Sequence, residues 1–273
     1  MPRAMLPFRD RPENPNSPIA PPFPDVVISS GRRALPYLKA IKKAAGDATI
    51  TVCLKDPKTG TAAADIIWVP EHDRLRGDNV IASLTSPHPL SVELFAEARI
   101  EAEERFKDFP GKRIGLVLGG TTRGISWGEE TCNELIQKLS QIPIKDHSIL
   151  VIASRRTPPQ LEKAVKLALA KHRFYYSSGI NKDDNPYRQI LAISDILIVT
   201  GDSHNMVSEA LATGVPVYIF RPHGLKQKLH QFLADLEDLK LVKGFQGSVD
   251  GFPAKRVNST DQIVEAIKER LNK

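Results

Sequence analysis

Apolar residues follow two alternating patterns from residue 25 to the end of the chain. Short runs of β-branched and aliphatic residues are separated by longer stretches in which apolar residues recur every three or four positions. The short runs predict strands, and the longer stretches predict amphipathic helices. Because such alternation is typical of βαβ units, the pattern predicts an α/β protein built on parallel sheets.

The first series of predicted elements ends at a sequence that breaks a helix. Its strands cover residues 26–29, 49–54, 65–69 and 79–83, and its helices cover residues 35–45 and 91–107. The sequence Phe109-Pro110-Gly111-Lys112 stops the second helix, because proline lacks an amide donor and glycine disfavours helical backbone. We place a domain boundary here and predict an N-terminal domain of residues 25–109.

The second series has the same alternation and predicts a C-terminal domain of residues 110–273. Its strands are residues 113–118, 148–153, 174–176, 195–200 and 216–220, and its helices are residues 129–140, 159–171, 187–193, 205–213, 226–239 and 261–271. Ser259 followed by Gln262 predicts a capping box for the last helix. Together the two series predict two Rossmann-like parallel-sheet domains.

The first 24 residues are rich in proline and precede this pattern. They contain eight of the 21 prolines of the chain. Since proline fixes φ and removes a backbone donor, neither a helix nor a central strand is expected there. We predict an extended segment for residues 1–24.

The composition restricts the class of protein. Hydrophobic residues make up 41% and charged residues 26% of the chain, which excludes mainly disordered, collagen-like and coiled-coil classes. No apolar run approaches the roughly 18 to 20 residues that span a bilayer, and the first residues lack the apolar core of a secretion signal. Cys53 and Cys132 are too few and too far apart for a disulfide framework or a zinc site. We therefore expect a cytoplasmic protein.

The charge of the chain gives weak information about partners. The net charge of +6 comes from 38 basic and 32 acidic residues that are spread along the sequence. No concentrated basic arm is present, so nucleic acid is not expected as a partner. The histidines show no grouping that would indicate a metal site. Lysines such as Lys39, Lys42 and Lys43 leave peripheral contact with an anionic membrane as a weaker alternative to a solvated helix face.

A loop after the first strand of the C-terminal domain carries groups suited to a diphosphate. It contains Gly119, Gly120, Thr121, Thr122 and Arg123. In open parallel sheets, ligands bind beyond the carboxyl ends of the strands, where loops present free backbone N–H groups. Glycines would allow close approach of a phosphate, and the other side chains add donors. A plain tight turn is the alternative.

The loop after the next predicted strand contains Arg155 and Arg156. Two guanidinium groups suit planar recognition of phosphate oxygens. Two solvated arginines beside a capping Thr157 are the alternative. Because this loop is adjacent to the glycine loop, we favour an anion site.

A third loop, after the strand at residues 195–200, indicates a nucleotide sugar. Asp202 and Ser203 stand at the start of the next helix, and Glu209 lies one to two turns into it. A carboxylate near a helix start can accept two hydrogen bonds from the vicinal hydroxyls of a ribose, while the cap region holds the attached phosphates. In the alternative interpretation, Asp202 and Ser203 only cap the helix and Glu209 is solvated.

The N-terminal domain carries candidates for the acceptor side. Gly31, Arg32 and Arg33 follow its first strand, and His72 and Asp73 follow its third strand. A histidine titrates near neutrality, so His72 or Asp73 is a candidate base that deprotonates an acceptor hydroxyl. A surface turn is the commoner explanation for such a pair in a loop.

The stretch from residue 185 to residue 220 resembles a known family. It reads Asn185-Pro186-Tyr187 and then LAISDILIVTGDSHNMVSEALATGVPVYIF from Leu191 to Phe220. This stretch is similar to the mitochondrial fission family of the elongated-mitochondria (ELM) type, whose bacterial members have unknown function. The wider similarity includes SSGRRA and VPEHD and covers nearly the whole chain.

The resemblance implies a glycosyltransferase B-like fold in which two domains face a cleft. It implies that Asp202, Ser203 and Glu209 belong to a nucleotide-sugar site, to which we add Asn185 from the same motif. Family members usually begin with a further strand and helix, so the N-terminal domain is expected to be truncated. In a eukaryote the resemblance implies a location at the mitochondrial surface.

Two functions follow from these predictions. The first is glycosyl transfer without a metal or other cofactor, in which a nucleoside-diphosphate sugar is the substrate and the arginines neutralise the leaving diphosphate. The second is a non-catalytic adaptor that holds a partner protein, such as the dynamin-like fission factor that the plant relatives recruit. The lack of a decisive catalytic pair in the sequence motivates the second function.

Overall fold

The computed structural model describes residues 6–31, 33–122, 124–181 and 183–272. The chain forms two compact units, which are Met1–Pro87 together with Ser259–Lys273, and His88–Asn258. Each unit contains one sheet whose strands are all parallel.

The first unit is built on a four-stranded sheet. Its strands are β1 (Val26–Ser29), β2 (Ile50–Cys53), β3 (Ile66–Pro70) and β4 (Val80–Ser83), in the order β1-β2-β3-β4. Helix α1 (Leu35–Ala45) follows β1, and its residues Leu35 and Leu38 share a buried cluster with Ile67 and Val69 of β3. Because the strands are parallel, their carboxyl ends all lie at one edge of the sheet.

The second unit contains a six-stranded sheet. Its strands are β5 (Lys112–Leu118), β6 (His147–Ala153), β7 (Arg173–Ser177), β8 (Ile196–Thr200), β9 (Val217–Phe220) and β10 (Lys243–Gly244), and its helices are α2 (Val92–Arg105), α3 (Glu129–Leu139), α4 (Pro159–Ala168), α5 (Tyr187–Ile193), α6 (His204–Leu211) and α7 (Gln227–Asp238). The strand order is β10-β9-β8-β5-β6-β7. The winding of the chain therefore reverses between β5 and β8, which is where open α/β sheets bind ligands.

The strands and helices predicted from the hydrophobic pattern are confirmed, with ends that differ by a few residues. Among the strands and α-helices of the described residues, the short strand β10 is the one missing from the prediction. The α/β class with two Rossmann-like parallel sheets is confirmed as well. The cleft between the two domains and the truncation of the first domain stay predictions.

Helix α2 belongs to the second unit, whereas the predicted boundary assigns it to the first. It packs against α5. Near its end, Arg105 forms an ion pair with Asp184 (2.6 Å) and donates to the hydroxyl of Tyr175 (3.1 Å). The helix ends at Arg105, ahead of the break at residues 109–112. The break does not separate the units, because contacts between distant segments decide which unit a helix joins.

The C-terminal helix α8 (Thr260–Leu271) returns to the first unit, although the sequence predicts it in the second domain. Its Ile263 is buried in a cluster with Val52 and Trp68 of the first sheet. The Oγ of Ser259 forms a hydrogen bond with Thr85 and no cap bond to the helix. The predicted capping box is therefore wrong, because a tertiary partner takes the hydroxyl.

The proline-rich segment forms successive turns over its described length. Residues 8–10 form a 3-10 turn. The N–H of Asn14 donates to the carbonyl of Arg11 (3.0 Å), and the N–H of Ser17 donates to the carbonyl of Asn14 (2.9 Å). The prediction of an extended segment is wrong for these residues, because proline also favours turn positions and the residues between the prolines retain their donors.

Candidate functional site

Two loops of the second unit are joined where the winding of the sheet reverses. Gly119 and Gly120 follow β5, and Asp202 follows β8. The N–H of Gly119 donates to Oγ1 of Thr200 (2.7 Å). The N–H of Gly120 donates to Oδ2 of Asp202 (2.7 Å). The carboxyl ends of the two central strands are thus cross-linked by hydrogen bonds.

The loop after β6 also joins this group. The carbonyl of Arg156 accepts the N–H of Thr121 (3.0 Å), and the carbonyl of Ile125 accepts the N–H of Thr122 (3.3 Å). The three loops that carry the predicted anion and nucleotide-sugar residues therefore lie together. All four N–H groups of residues 119–122 have acceptors within the protein, in contrast to the phosphate-binding role predicted for the backbone of this loop.

Close packing explains the two glycines. A Cβ built on Gly119 would overlap the carboxylate of Asp202, and a Cβ built on Gly120 would overlap the carbonyl of Arg156. Any larger residue would therefore separate the loops. The glycines allow the loops to approach each other, in the same way that glycine allows a ligand to approach a backbone.

The carboxylate of Asp202 binds groups of the protein itself. Its side chain is buried, with only 6% of the residue exposed, and its Oδ1 has no hydrogen-bond partner among the described residues. Burial raises the pKa of Asp202, while the hydrogen bonds from Thr200 and Gly120 oppose this rise. Ser203 is the N-cap of α6, and its Oγ accepts the N–H of Met206 (3.4 Å). Helix capping, the alternative function for both residues, thus holds for Ser203.

A pocket of about 190 Å³ lies beyond the carboxyl ends of β5 and β6. Apolar groups at the strand ends, including Leu118 and Ile152, form part of its wall. Three residues predicted to bind a nucleotide sugar, Arg155, Asn185 and Glu209, line this pocket together. The pocket thus combines an apolar surface with convergent polar groups, which is the usual composition of a small-molecule site.

Tyr187 and Glu209 form a hydrogen-bonded pair in the wall of the pocket. The Oη of Tyr187 donates to Oε2 of Glu209. Burial raises the pKa of Glu209, and the bond from Tyr187 partly offsets this rise. Burial and the nearby carboxylate hold the pKa of Tyr187 well above its usual value, so the phenol keeps its proton.

The sequence pattern predicts no role for Tyr187 in the site. The sequence Asn-Pro-Tyr places this residue at the start of α5, where Oδ1 of Asn185 accepts its N–H (3.0 Å). Its partner Glu209 is 22 residues away along the chain. The sequence predicts that Tyr187 lies at the start of a helix. Only the tertiary structure shows which side chain its phenol contacts.

The two predicted arginines have different surroundings. Both are exposed, and Arg155 lines the pocket whereas Arg156 does not. The charge of Arg156 contributes to lowering the pKa of Asp202 against the effect of burial. Oγ1 of Thr157 accepts the N–H of Ser154 (2.9 Å) and makes no cap bond to α4. Capping by Thr157, which belongs to the alternative interpretation of this loop, is therefore wrong.

The candidates of the first unit lie at one edge of its sheet. His72 and Asp73 follow β3, and Gly31 and Arg33 follow β1, so all four are at the carboxyl ends of parallel strands. The N–H of Asp73 donates to the carbonyl of Pro70 (2.9 Å), which closes a turn. The roles of these four residues stay predictions.

Arg32 and Arg123 lie outside the described residues. Within the described residues, no three His, Cys, Asp or Glu side chains are grouped as metal ligands. In the same part of the chain, no helix has both the length and the apolar character needed to cross a bilayer.

Two proteins are similar to this chain along most of its length. The protein named Mitochondrial fission protein ELM1 from Arabidopsis thaliana is 23% identical over 275 residues, which cover 91% of this chain and 64% of that protein. The protein named Uncharacterized protein RP120 from Rickettsia prowazekii (strain Madrid E) is 24% identical over 285 residues, which cover 91% of this chain and 80% of that protein. The chain thus spans less than two thirds of the length of the Arabidopsis relative.

The chain is also similar to a solved structure and to a known protein family. The crystal structure of Anabaena Alr3699/HepE in complex with UDP-glucose matches 91% of this chain and 78% of that chain, with a TM-score of 0.45 and 12% identity. The model of the family described as Mitochondrial fission ELM1 matches residues 2–271. Since this match covers nearly the whole sequence, the chain belongs to the mitochondrial fission ELM1 family.

Proposed function

We propose that this protein binds a nucleoside-diphosphate sugar in the pocket of its second unit and transfers the sugar to an acceptor. The observation that carries this proposal is the presence of Arg155, Asn185 and Glu209 in one pocket. The pocket lies beyond the carboxyl ends of β5 and β6, beside the reversal of winding where open α/β sheets bind ligands.

The pocket suits the nucleoside part of the ligand. Its volume of about 190 Å³ is below the roughly 300–1,000 Å³ of pockets that enclose a whole drug-sized molecule. The apolar ends of β5 and β6 offer a surface for a base. The carboxylate of Glu209 can accept hydrogen bonds from the vicinal hydroxyls of a ribose. The diphosphate and sugar would then extend out of the pocket.

Side chains, rather than backbone amides, would hold the diphosphate. Arg155 is exposed at the pocket, and the guanidinium of Arg156 follows it in the same loop. The hydroxyls of Thr121 and Thr122 stand on the neighbouring loop and could add donors. Guanidinium groups pair with phosphate oxygens in a planar, bidentate way and would stabilise the negative charge that develops on the leaving diphosphate.

The transfer step would use the first unit. The acceptor hydroxyl would lose its proton to His72 or Asp73, and its oxygen would attack the anomeric carbon as the bond to the diphosphate breaks. Gly31 and Arg33, at the same edge of that sheet, would help to hold the acceptor. His72→Ala should then slow transfer while leaving the affinity for the nucleotide unchanged.

A non-catalytic adaptor is the second candidate, and one observation favours it. The backbone donors of residues 119–122 already have acceptors within the protein, so this loop is not prepared to receive a phosphate. An adaptor would need the fold but not the anion site. Full biological activity of an Arg155→Ala variant would support the adaptor.

Calorimetric titration with UDP, GDP, CDP and ADP tests the proposed binding. A ligand present at about 100 times its Kd should stabilise the folded protein by roughly 2.7 kcal/mol, which raises the melting temperature. Arg155→Ala should weaken the binding, and Arg156→Ala, outside the pocket, is the matched control that should weaken it less. If none of the four nucleotides binds, the proposed site is wrong.

A paired comparison of ligands tests the contact with ribose. Hydrogen bonds to a charged group contribute about 1.5–3 kcal/mol, so Glu209→Ala should weaken UDP binding roughly tenfold or more. The ligand 2′-deoxy-UDP lacks one of the two hydroxyls, and its binding should fall less in the same variant. Equal losses of affinity for both ligands would show that Glu209 does not bind the ribose hydroxyls.

A further inference from the structure

We propose that Tyr187 is a positioning residue that holds one oxygen of Glu209 and presents the other oxygen, in ionised form, to the ligand. This inference rests on the proposed function, because it concerns the same pocket. It adds a residue that neither the sequence analysis nor the family resemblance assigns to the site.

The position of Tyr187 is fixed by contacts on both sides of its helix. Oδ1 of Asn185 accepts the N–H of Tyr187 (3.0 Å), and Nδ2 of Asn185 donates to the carbonyl of Gly179 (3.4 Å). On the other side, Gln189 of α5 donates to Glu101 of α2 (2.8 Å). The phenol is therefore directed at Glu209 from a helix that is held by the loop after β7 at its start and by α2 along its length.

The surroundings of Glu209 leave one oxygen for a ligand. Among the described residues, the phenol of Tyr187 is the group that donates a hydrogen bond to this carboxylate, and it does so at Oε2. Of the groups that line the pocket with Glu209, Tyr187 of α5 and Arg155 of the loop after β6 are the titratable or charged ones. The ends of β5 and β6 contribute apolar groups, and Gly179 after β7 contributes no side chain.

The hydrogen bond from Tyr187 favours the charged form of the Glu209 carboxylate. Burial raises the pKa of Glu209, and the bond from Tyr187 acts in the opposite direction. Without the phenol, burial would act alone, and the carboxyl group would take up its proton at a higher pH. A protonated Glu209 has one O–H donor in place of an acceptor and would bind two ribose hydroxyls less well.

Tyr187→Phe tests this role through the pH dependence of binding. The UDP affinity of wild type and variant would be measured by calorimetry at about pH 6 and about pH 8.5, and their ratio taken at each pH so that titration of the nucleotide cancels. We expect the variant to bind roughly tenfold more weakly at the lower pH and within roughly twofold of wild type at the higher pH. A loss that is equal at both pH values, or no loss, would overturn the inference.

Tyr176→Phe is the matched control. Tyr176 of β7 also lies beside a glutamate, Glu162 of α4. Burial, and after it the carboxylate and hydrogen bond of Glu162, raise the pKa of this tyrosine. Tyr176 does not line the pocket. This variant should therefore keep both the UDP affinity and its pH dependence. A pH-dependent loss as large as that of Tyr187→Phe would show that the effect does not belong to the pocket.

A second measurement separates this inference from the proposed function. Carbon-detected NMR of the unliganded protein follows the carboxyl carbon of Glu209 through its titration. In Tyr187→Phe the midpoint should move to higher pH, and an unchanged midpoint would overturn the inference whether or not nucleotide binds. If the midpoint moves but wild type binds no nucleotide, the proposed function and the ligand part of the inference both fall.

Discussion

Gly119 and Gly120 lie where three loops of the second unit pass within contact distance of one another. Their N–H groups donate to Thr200 and Asp202, and their missing side chains leave room for Asp202 and for the backbone of Arg156. Paired glycines after a strand suggest a phosphate loop, but the same residues serve equally well for close contact between loops. Only the position of the neighbouring loops distinguishes these two uses.

Gly120→Ala should lower the free energy of unfolding by about 1–3 kcal/mol, because the new methyl group meets a backbone carbonyl that cannot rotate away. Gly244→Ala is the matched control, since a Cβ at that position makes only ordinary van der Waals contacts, and it should change stability by less than about 0.5 kcal/mol. Urea unfolding followed by circular dichroism gives both values. A Gly120→Ala variant as stable as wild type would contradict the close packing.

At the scale of elements, α2 shows that contacts, rather than position along the chain, assign a helix to a unit. Gln189 of α5 donates to Glu101 of α2, and Arg99 of α2 donates to the carbonyl of Ala192 (3.2 Å). Since α5 begins with Tyr187, α2 supports the helix that supplies the phenol of the pocket. Loss of the α2 contacts should therefore lower ligand affinity at the pocket as well as the stability of the second unit.

Arg105→Met removes the ion pair with Asp184 and the hydrogen bond to Tyr175 while it keeps most of the apolar stem. Because the Arg105 side chain is only 26% exposed, we expect a loss of about 1–2 kcal/mol in the free energy of unfolding. Lys107→Met, which breaks an exposed pair with Glu104, should cost less than about 0.5 kcal/mol. Urea denaturation of both variants tests this difference, and equal losses would show that α2 is not held through Arg105.

At the scale of the whole molecule, the chain leaves the first unit at residue 87 and returns to it at residue 259. The last helix supplies Ile263 to a cluster with Val52 and Trp68, so strands from the first part of the chain and the C-terminal helix complete one core. A domain boundary drawn from the order of elements alone would separate α8 from the strands that it packs against.

A fragment of residues 88–258 should therefore fold alone, with a cooperative thermal transition and dispersed amide signals in NMR spectra. A fragment of residues 110–273 lacks α2 and retains α8 without its partner strands, so it should show broad melting and aggregation. Circular dichroism melting and NMR spectra of both fragments test the division. A sharp transition of the second fragment would contradict the assignment of α2 and α8.

The site was predictable in part. The sequence predicts Arg155 from its position after a strand, Glu209 from its position one to two turns into the helix after another strand, and Asn185 from a motif that resembles a family. These three residues share a pocket. The sequence does not show which acceptors take the backbone donors of the glycine loop, and it predicts a ligand for them. It predicts no role for Tyr187, because the partner of this residue is far along the chain.

The sequence by itself determined the class and the elements of this protein. The period of its apolar residues is a local property, so it predicts where strands and helices form and that their alternation makes parallel sheets. Strand β10 is not predicted, because a run of two residues has no period. It is defined by its pairing with β9. Only the tertiary structure decided which unit receives α2 and α8, which acceptors take the loop donors, and which carboxylate meets Tyr187, because these depend on contacts between residues that are distant along the chain.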